Sequence, residues 1–530
     1  MKKTLLSIIA CLLTVAAWAD GPFRNHRYDS FKVLEPAEGS IVFIGNSITD
    51  MHCWHEAFRT SNGDYLPIVN RGNSGTYSTE QSDNLESYLG KKPKKVFMMI
   101  GTNDLASTGG LDFTGEQILA YVSSIVKRIH LRYPETKIYL YSILNNDTYN
   151  RSEERWLHTN ELLKAYVSNT NESWLKYIDL YDKLTAVASG GVWSYDKLHL
   201  TAAAYQVWCK EICQYLQEGE DYTVECVYPG DTSSKQKNGT MNNSDGMRGT
   251  YFSMLPIGSD DVLVFGDELV KNGEWQELLG NANVKNRGTG WNHNGSIAIT
   301  SNIVDATFAT TGVTKENAKA IFLYTGTADA NGTTALATVQ ANYANLVNKI
   351  AGYSPNSKIY LMALCPTNNA SNTTNRIAVL NNYIKSLAGG NIEYVDTYTP
   401  LLNGTTANSK YFYPDNYLGA MGYAKFAQIM CEALNADFPS NQYSAISDEA
   451  AQTRYEQAGY RNLISQAIGQ GYSATLGTSV GEYSAEAMGA FNEEVIAANT
   501  LLSSGKITAE QAQQQVERIK TALEKAIVKP

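Results

Sequence analysis

The chain has 530 residues, enough for about three domains of ordinary size, each able to bury its own core. With 43% hydrophobic and 18% charged residues it is globular in composition, and a formal net charge of -10 argues against nucleic acid or an anionic membrane surface as partner. Past the N-terminus, no run is apolar and long enough to span a bilayer.

Lys2 and Lys3 lead into the apolar run Leu5 to Ala17, and Ala17-Trp18-Ala19 forms a small-x-small site. This pattern predicts a secretory signal over residues 1–19, cleaved before Asp20, and hence a periplasmic or extracellular protein. Cys11 lies inside the run with apolar residues after it, which disfavours lipoprotein processing. Removing it leaves Cys53, Cys209, Cys213, Cys226, Cys365 and Cys431, compatible with disulfides whose pairing the sequence does not specify. Cys209 and Cys213 sit one helical turn apart, a spacing that equally suits two half-buried thiols.

From Ser40 to Leu216, short β-branched runs alternate with longer amphipathic ones, the pattern of βα units around a parallel sheet. Strands are expected at Ile41 to Ile44, Pro67 to Asn70, Lys95 to Ile100, Lys137 to Leu144 and Leu175 to Leu180. Helices are expected at Glu116 to His130 and Ala202 to Leu216. Residues 218–260, rich in Gly, Ser, Asn and Asp, read as a linker. The cycle then restarts over 261–438, with strands at Val262 to Phe265, Ala318 to Tyr324, Lys358 to Leu364 and Ile392 to Val395. Helices follow at Ala337 to Ile350 and Ala420 to Leu434, and Tyr28-Asp29-Ser30-Phe31 before the first cycle is echoed by Tyr251-Phe252-Ser253-Met254 before the second. Residues 439–530 carry no strand signal and predict three helices, at Ser447 to Ile468, Ser484 to Ser503 and Thr508 to Ile527.

The polar motifs fall where strands end, which is where open α/β sheets build their sites. Gly45-Asn46-Ser47-Ile48-Thr49 follows an apolar strand, so Ser47 stands at a tight strand-to-helix turn. A serine needs an adjacent base to act as a nucleophile, and Asp196-Lys197-Leu198-His199 supplies one before the last helix. That spacing lets Asp196 orient the His199 ring while its other nitrogen faces Ser47. Three donors could receive an oxyanion: the backbone N–H groups of Ser47 and Gly75 and the neutral side-chain amide of Asn103.

Each motif alone is weak, but their order on successive strand ends is specific. Together they resemble the SGNH, or GDSL-type, hydrolase family, over Ser40 to Leu216 and, in degenerate form, over Asp261 to Leu434. The resemblance implies an α/β fold of two tandem three-layer α/β/α domains with parallel sheets, a catalytic domain over 20–217 and a degenerate one over 261–438, followed by the helical domain. It also implies a serine esterase that uses no cofactor and no metal: Ser47 as nucleophile, His199 as base and then acid, Asp196 as its orienter, and Ser47, Gly75 and Asn103 as oxyanion donors. Asn46 stands where the GDS form has an acid, a position outside the triad. Phe491 to Ile527 loosely resembles the helical FIVAR-type repeats of secreted carbohydrate-active proteins; a plain helical spacer or association module fits it as well.

His52-Cys53-Trp54-His55 is better read as solvated or pocket-lining residues than as a metal site, with Trp54 bordering substrate. In the second copy, Glu268 replaces Ser47 and Ala328 replaces Asn103, while the His199 position falls on Leu418 or Tyr417 depending on the direction of counting. Asn286-Arg287-Gly288, Gly290 and Asp415 are retained, and Trp291, Tyr411, Phe412 and Tyr413 are expected near its cleft. The expected function is an exported carbohydrate O-acetylesterase acting on an O-acetylated carbohydrate, sialate or another glycan; the alternatives are a lipid or lysophospholipid acyl hydrolase and a non-catalytic glycan-binding protein.

Overall fold

The computed structural model describes residues 22–144, 152–187, 198–228, 244–290, 296–309, 312–440, 442–477 and 479–528. In chain order the first repeat forms β1 (Ile41–Gly45), β2 (Phe58–Thr60), β3 (Ile68–Gly72), β4 (Lys95–Met99), β5 (Lys137–Tyr141), β6 (Leu175–Ile178) and β7 (Val224–Cys226). The second forms β8 (Val262–Gly266), β9 (Val284–Gly288), β10 (Ala320–Tyr324), β11 (Lys358–Met362) and β12 (Ile392–Val395). Two five-stranded sheets result, ordered β3-β1-β4-β5-β6 and β12-β11-β10-β8-β9. Their strands pair in parallel, β1 with β4 from Ile41↔Lys95 to Gly45↔Met99 and β8 with β10 from Val262↔Ala320 to Gly266↔Tyr324. The central strands are buried on both faces, which is why they read as unbroken apolar runs.

The expected strands and helices are present, with differences of a few residues at their ends. Strand β9 was not foreseen, because Val-Lys-Asn-Arg-Gly lacks an apolar pattern; its polar side chains are nevertheless buried and paired, with Lys285 Nζ 2.6 Å from Asp261. The stretch read as linker holds β7 and the helix Ser244–Met254.

The same polar clamps recur in both repeats. Arg27 Nε donates to Gly72 O at 2.7 Å, and Arg248 Nε to Gly288 O at 3.0 Å. Each of these guanidiniums also lies over a ring, Phe31 or Phe252, shared with a second arginine, Arg71 or Arg287. The helices preceding the two sheets therefore align Phe31 with Phe252, two residues away from the match suggested by the sequence. Asn160 exchanges two hydrogen bonds with Ile143, and Asn381 does the same with Leu364.

By its internal contacts the chain divides into two units, one of residues 1–50, 71–181 and 456–530, the other of 51–70 and 182–455. In the first, the C-terminal helices Asp448–Tyr472, Gly489–Leu502 and Ala509–Ala526 share an apolar core around Ile468, Phe491, Val495 and Ile519. Arg128 donates to Ser465 O at 2.9 Å and Asn462 to Ser87 Oγ at 2.7 Å, so this region is joined to the helices of the first sheet.

In the second unit, residues 51–70 belong with the second sheet. Glu56 and Arg287, 1% and 0% exposed, meet through two hydrogen bonds of 2.7 Å, and Tyr251 donates to Met51 O. Burial alone raises the Glu56 pKa, but Arg287 outweighs it and holds the carboxyl below its ordinary value of 4.5. The pair's stabilisation is therefore complete above about pH 4.5 and is lost as pH falls below it. Glu56→Gln should cost about 3–5 kcal/mol in denaturant unfolding at pH 7, because it leaves a buried guanidinium unpaired, while Glu56→Gln with Arg287→Met should recover much of the loss. A single variant as stable as wild type would refute this.

Candidate active site

Sequence dictates the Ser47 turn closely. A Cβ on Gly45 would fall 2.1 Å from Thr49 Oγ1 and 2.7 Å from Met99 O, so β1 has to end in glycine for the chain to turn so tightly. Asn46 Oδ1 then accepts from Ile48 N at 3.0 Å, capping the one-turn helix Ser47–Asp50, at whose start Ser47 stands.

The second block is held by several polar contacts. Asn73 N donates to Gly45 O at 2.9 Å, and Gln81 Nε2 bridges Gly45 O at 2.7 Å and Thr76 Oγ1 at 2.8 Å. Gly75 lies between with φ +79°, a left-handed conformation that few residues other than glycine adopt cheaply. Asp50, which carries no motif in the sequence, is buried between Arg27 at 3.0 Å and Ser74 Oγ at 2.5 Å, so the acid that closes the helix Ser47–Asp50 also fixes the residue before Gly75. An aspartate three residues after the serine was its only sequence signal.

Asn103 follows β4. Its amide donates to Thr76 O at 3.0 Å, and fixing one hydrogen there sets the direction of the other. The neighbouring Asp104 accepts from Ser78 N at 2.9 Å and Ser78 Oγ at 2.5 Å, a structural role. Ser47, Gly75 and Asn103 thus stand just past the ends of three neighbouring strands, β1, β3 and β4. His199 falls in the other unit, two residues before Thr201, whose hydroxyl accepts from Ala204 N at 3.3 Å and caps the helix Ala202–Gln217. Asp196 lies outside the described residues, as do residues 1–21, Trp291 and His293.

His52 and Trp54 are neither solvated nor pocket-lining. His52 is 2% exposed, stacks on Tyr205 at 4.5 Å and meets Tyr228 Oη at 3.1 Å, while Trp54 packs on Trp208. Burial lowers the His52 imidazole to about 3, so it is a neutral core group. His55 is buried as well, and its pKa too is lowered by burial. The six cysteines among the described residues are free thiols, with Cys209 buried and Cys213 half-buried.

The family model described as GDSL-like lipase/acylhydrolase matches residues 43–207 and again 264–425. The chain belongs to the GDSL-like lipase/acylhydrolase family. Solved structures similar to parts of it include a Streptococcus pneumonia protein named as a platelet activating factor, with 27% identity over 40% of this chain and 99% of that one and a TM-score of 0.33. Others are a GDSL-like lipase from Bacteroides thetaiotaomicron (16%, 36% and 96%, 0.30) and a carbohydrate esterase family 3 protein from Talaromyces cellulolyticus (17%, 34% and 96%, 0.27). No curated protein matches the chain.

The second GDSL-like region keeps the turn and loses the groups. Asp267 Oδ1 caps Leu269 N at 3.2 Å as Asn46 caps Ile48, placing Glu268 at the Ser47 position. Leu200 and Leu418 each form an isolated β-bridge just before their helices, so His199 aligns with Tyr417, and the Tyr417 hydroxyl donates to Glu268 Oε2 at 2.9 Å. Two apparent retentions fail. Gly290 lacks the positive φ of Gly75; what it supplies is space, since its Cβ would fall 2.9 Å from that of Glu268. Asp415, counted back from the bridge, matches Lys197 rather than Asp196. Tyr411, Phe412 and Tyr413 line a separate cavity with Tyr455, not the cleft.

Glycine at the end of β3 is a checkable requirement. A Cβ on Gly72 would fall 2.2 Å from Asp50 N, so Gly72→Ala should destabilise the fold by about 1–3 kcal/mol or more in urea unfolding. An unchanged midpoint would show that the turn is looser than described.

Proposed function

We propose that the chain is an exported serine esterase with one active site, in the first repeat, that removes O-acetyl groups from carbohydrate. The observation that carries the reading is the placement of Ser47, the Gly75 loop and Asn103 at three neighbouring strand ends, against Glu268 and Ala328 in the second repeat. Ser47 Oγ attacks the acetyl carbonyl while His199, oriented by Asp196, takes its proton. The oxyanion receives the N–H groups of Ser47 and Gly75 and the Asn103 amide. Collapse expels the sugar oxygen, protonated by His199, and leaves acetyl-Ser47; water activated by His199 then releases acetate. No cofactor or metal enters these steps.

Family resemblance supports the carbohydrate preference, since exported members with additional modules often deacetylate glycans. The signal pattern at Lys2 to Ala19 supports export. Among the described residues no helix is long and apolar enough to cross a membrane.

Ser47→Ala should abolish hydrolysis, and Asn103→Ala should lower turnover about 10²- to 10³-fold, the effect of one lost oxyanion donor. Wild-type activity in Ser47→Ala would overturn the mechanism. In a p-nitrophenyl ester series, acetate should be cleaved far faster than octanoate, followed by acetate release from O-acetylated sialic acid, xylan or pectin; preference for octanoate would instead establish a lipid acyl hydrolase.

A further inference from the structure

We propose that the cavity at the strand ends of the second repeat is a binding site for an uncharged sugar. It occupies about 330 Å³, at the lower end of the roughly 300–1,000 Å³ range of small-molecule sites, a size suited to one or two rings. Glu268, Ala328 and Tyr417 stand where the first repeat has Ser47, Asn103 and His199. The cavity has thus lost the groups for acyl transfer while remaining open.

Its chemistry points to a ligand rich in hydroxyl donors. Asp267 borders the cavity and is 9% exposed; its Oδ1 accepts from Leu269 N, and Thr327, which also lines the cavity, hydrogen-bonds its carboxyl. Burial pushes the Asp267 carboxyl up to about 7, so near neutral pH the cavity does not carry the full charge of its acids. Glu268 is already engaged by the Tyr417 hydroxyl.

The lining also selects by sign. Asp267, Glu268 and Asp415 border the cavity, and among its described lining residues there is no lysine, arginine or histidine. A phosphate, sulfate or carboxylated sugar would meet like charge with no cation among the described lining residues to pair it. Tyr417 and Ile299, both half-buried, offer apolar surface against which the C–H face of a sugar ring can pack, while acids, threonines and Asn416 supply polar groups for its hydroxyls.

The proposal is independent of the esterase reading, and its test separates the two. Binding to the full-length protein would be measured by saturation-transfer NMR and calorimetry with D-galactose, D-xylose and N-acetyl-D-glucosamine, alongside N-acetylneuraminic acid and D-glucosamine, with p-nitrophenyl acetate hydrolysis followed in parallel. At least one neutral sugar should bind, and Ala328→Trp, which fills the cavity, should weaken that binding at least tenfold without changing hydrolysis. Asp267→Asn provides a second variant that keeps the turn, because Asn46 makes the same cap in the first repeat; it should also weaken binding at least tenfold. Absence of neutral-sugar binding, binding that survives both substitutions, or tighter binding of the acidic or amino sugar would each overturn the proposal, whatever the esterase activity.

Discussion

The paired Glu56 carboxylate and Arg287 guanidinium, both almost wholly buried, are the contact on which the architecture turns. Taking two charges out of water costs several kcal/mol per ion, a cost offset only when the geometry is good, and here two 2.7 Å hydrogen bonds provide it. The consequence lies in where the two residues sit. Glu56 follows the helix Ser47–Asp50 of the first repeat by six positions, and Arg287 is on the edge strand β9 of the second. Residues 51–70 are therefore housed by the second sheet, through this pair and the Tyr251 bond to Met51 O.

This gives the second repeat a structural role that does not depend on the residue at the Ser47 position. The retained Asn286-Arg287-Gly288 is scaffold throughout. Asn286 donates to the carbonyls of Val270, Lys271 and Gly273, as Asn70 does to that of His52, and Gly288 admits the Lys271 backbone as Gly72 admits that of Asp50. Arg287 adds the ion pair. Residues kept in both repeats hold strands and turns together; those exchanged, Ser47 for Glu268 and Asn103 for Ala328, stand at the strand ends.

Much of this was legible in sequence because it rests on short-range rules. Short unbroken β-branched runs and period-3.6 apolar patterns gave the strands, the helices and the duplication, and the order of Ser47, Gly75 and Asn103 on successive strand ends followed from the parallel topology. What escaped had a tertiary cause. Strand β9 is polar in sequence yet buried, since Lys285 and Arg287 meet acids distant in the chain. His52 and Trp54 sit just past the nucleophile, where a pocket is expected, but Tyr205, Trp208 and Tyr228 close around them.

Sequence alone therefore determined the family, the two sheets and the difference between a repeat with serine at the first strand end and one with glutamate there, because these depend on residue type and local spacing. Tertiary structure decided which apparent retentions are real. Gly290 and Asp415 match in letters but not in backbone conformation or register, and Asp50 matters only because folding brings Arg27 and Ser74 to it. The reason is physical: the role of a buried polar residue is set by the partner that satisfies it, and here those partners lie tens to hundreds of positions away.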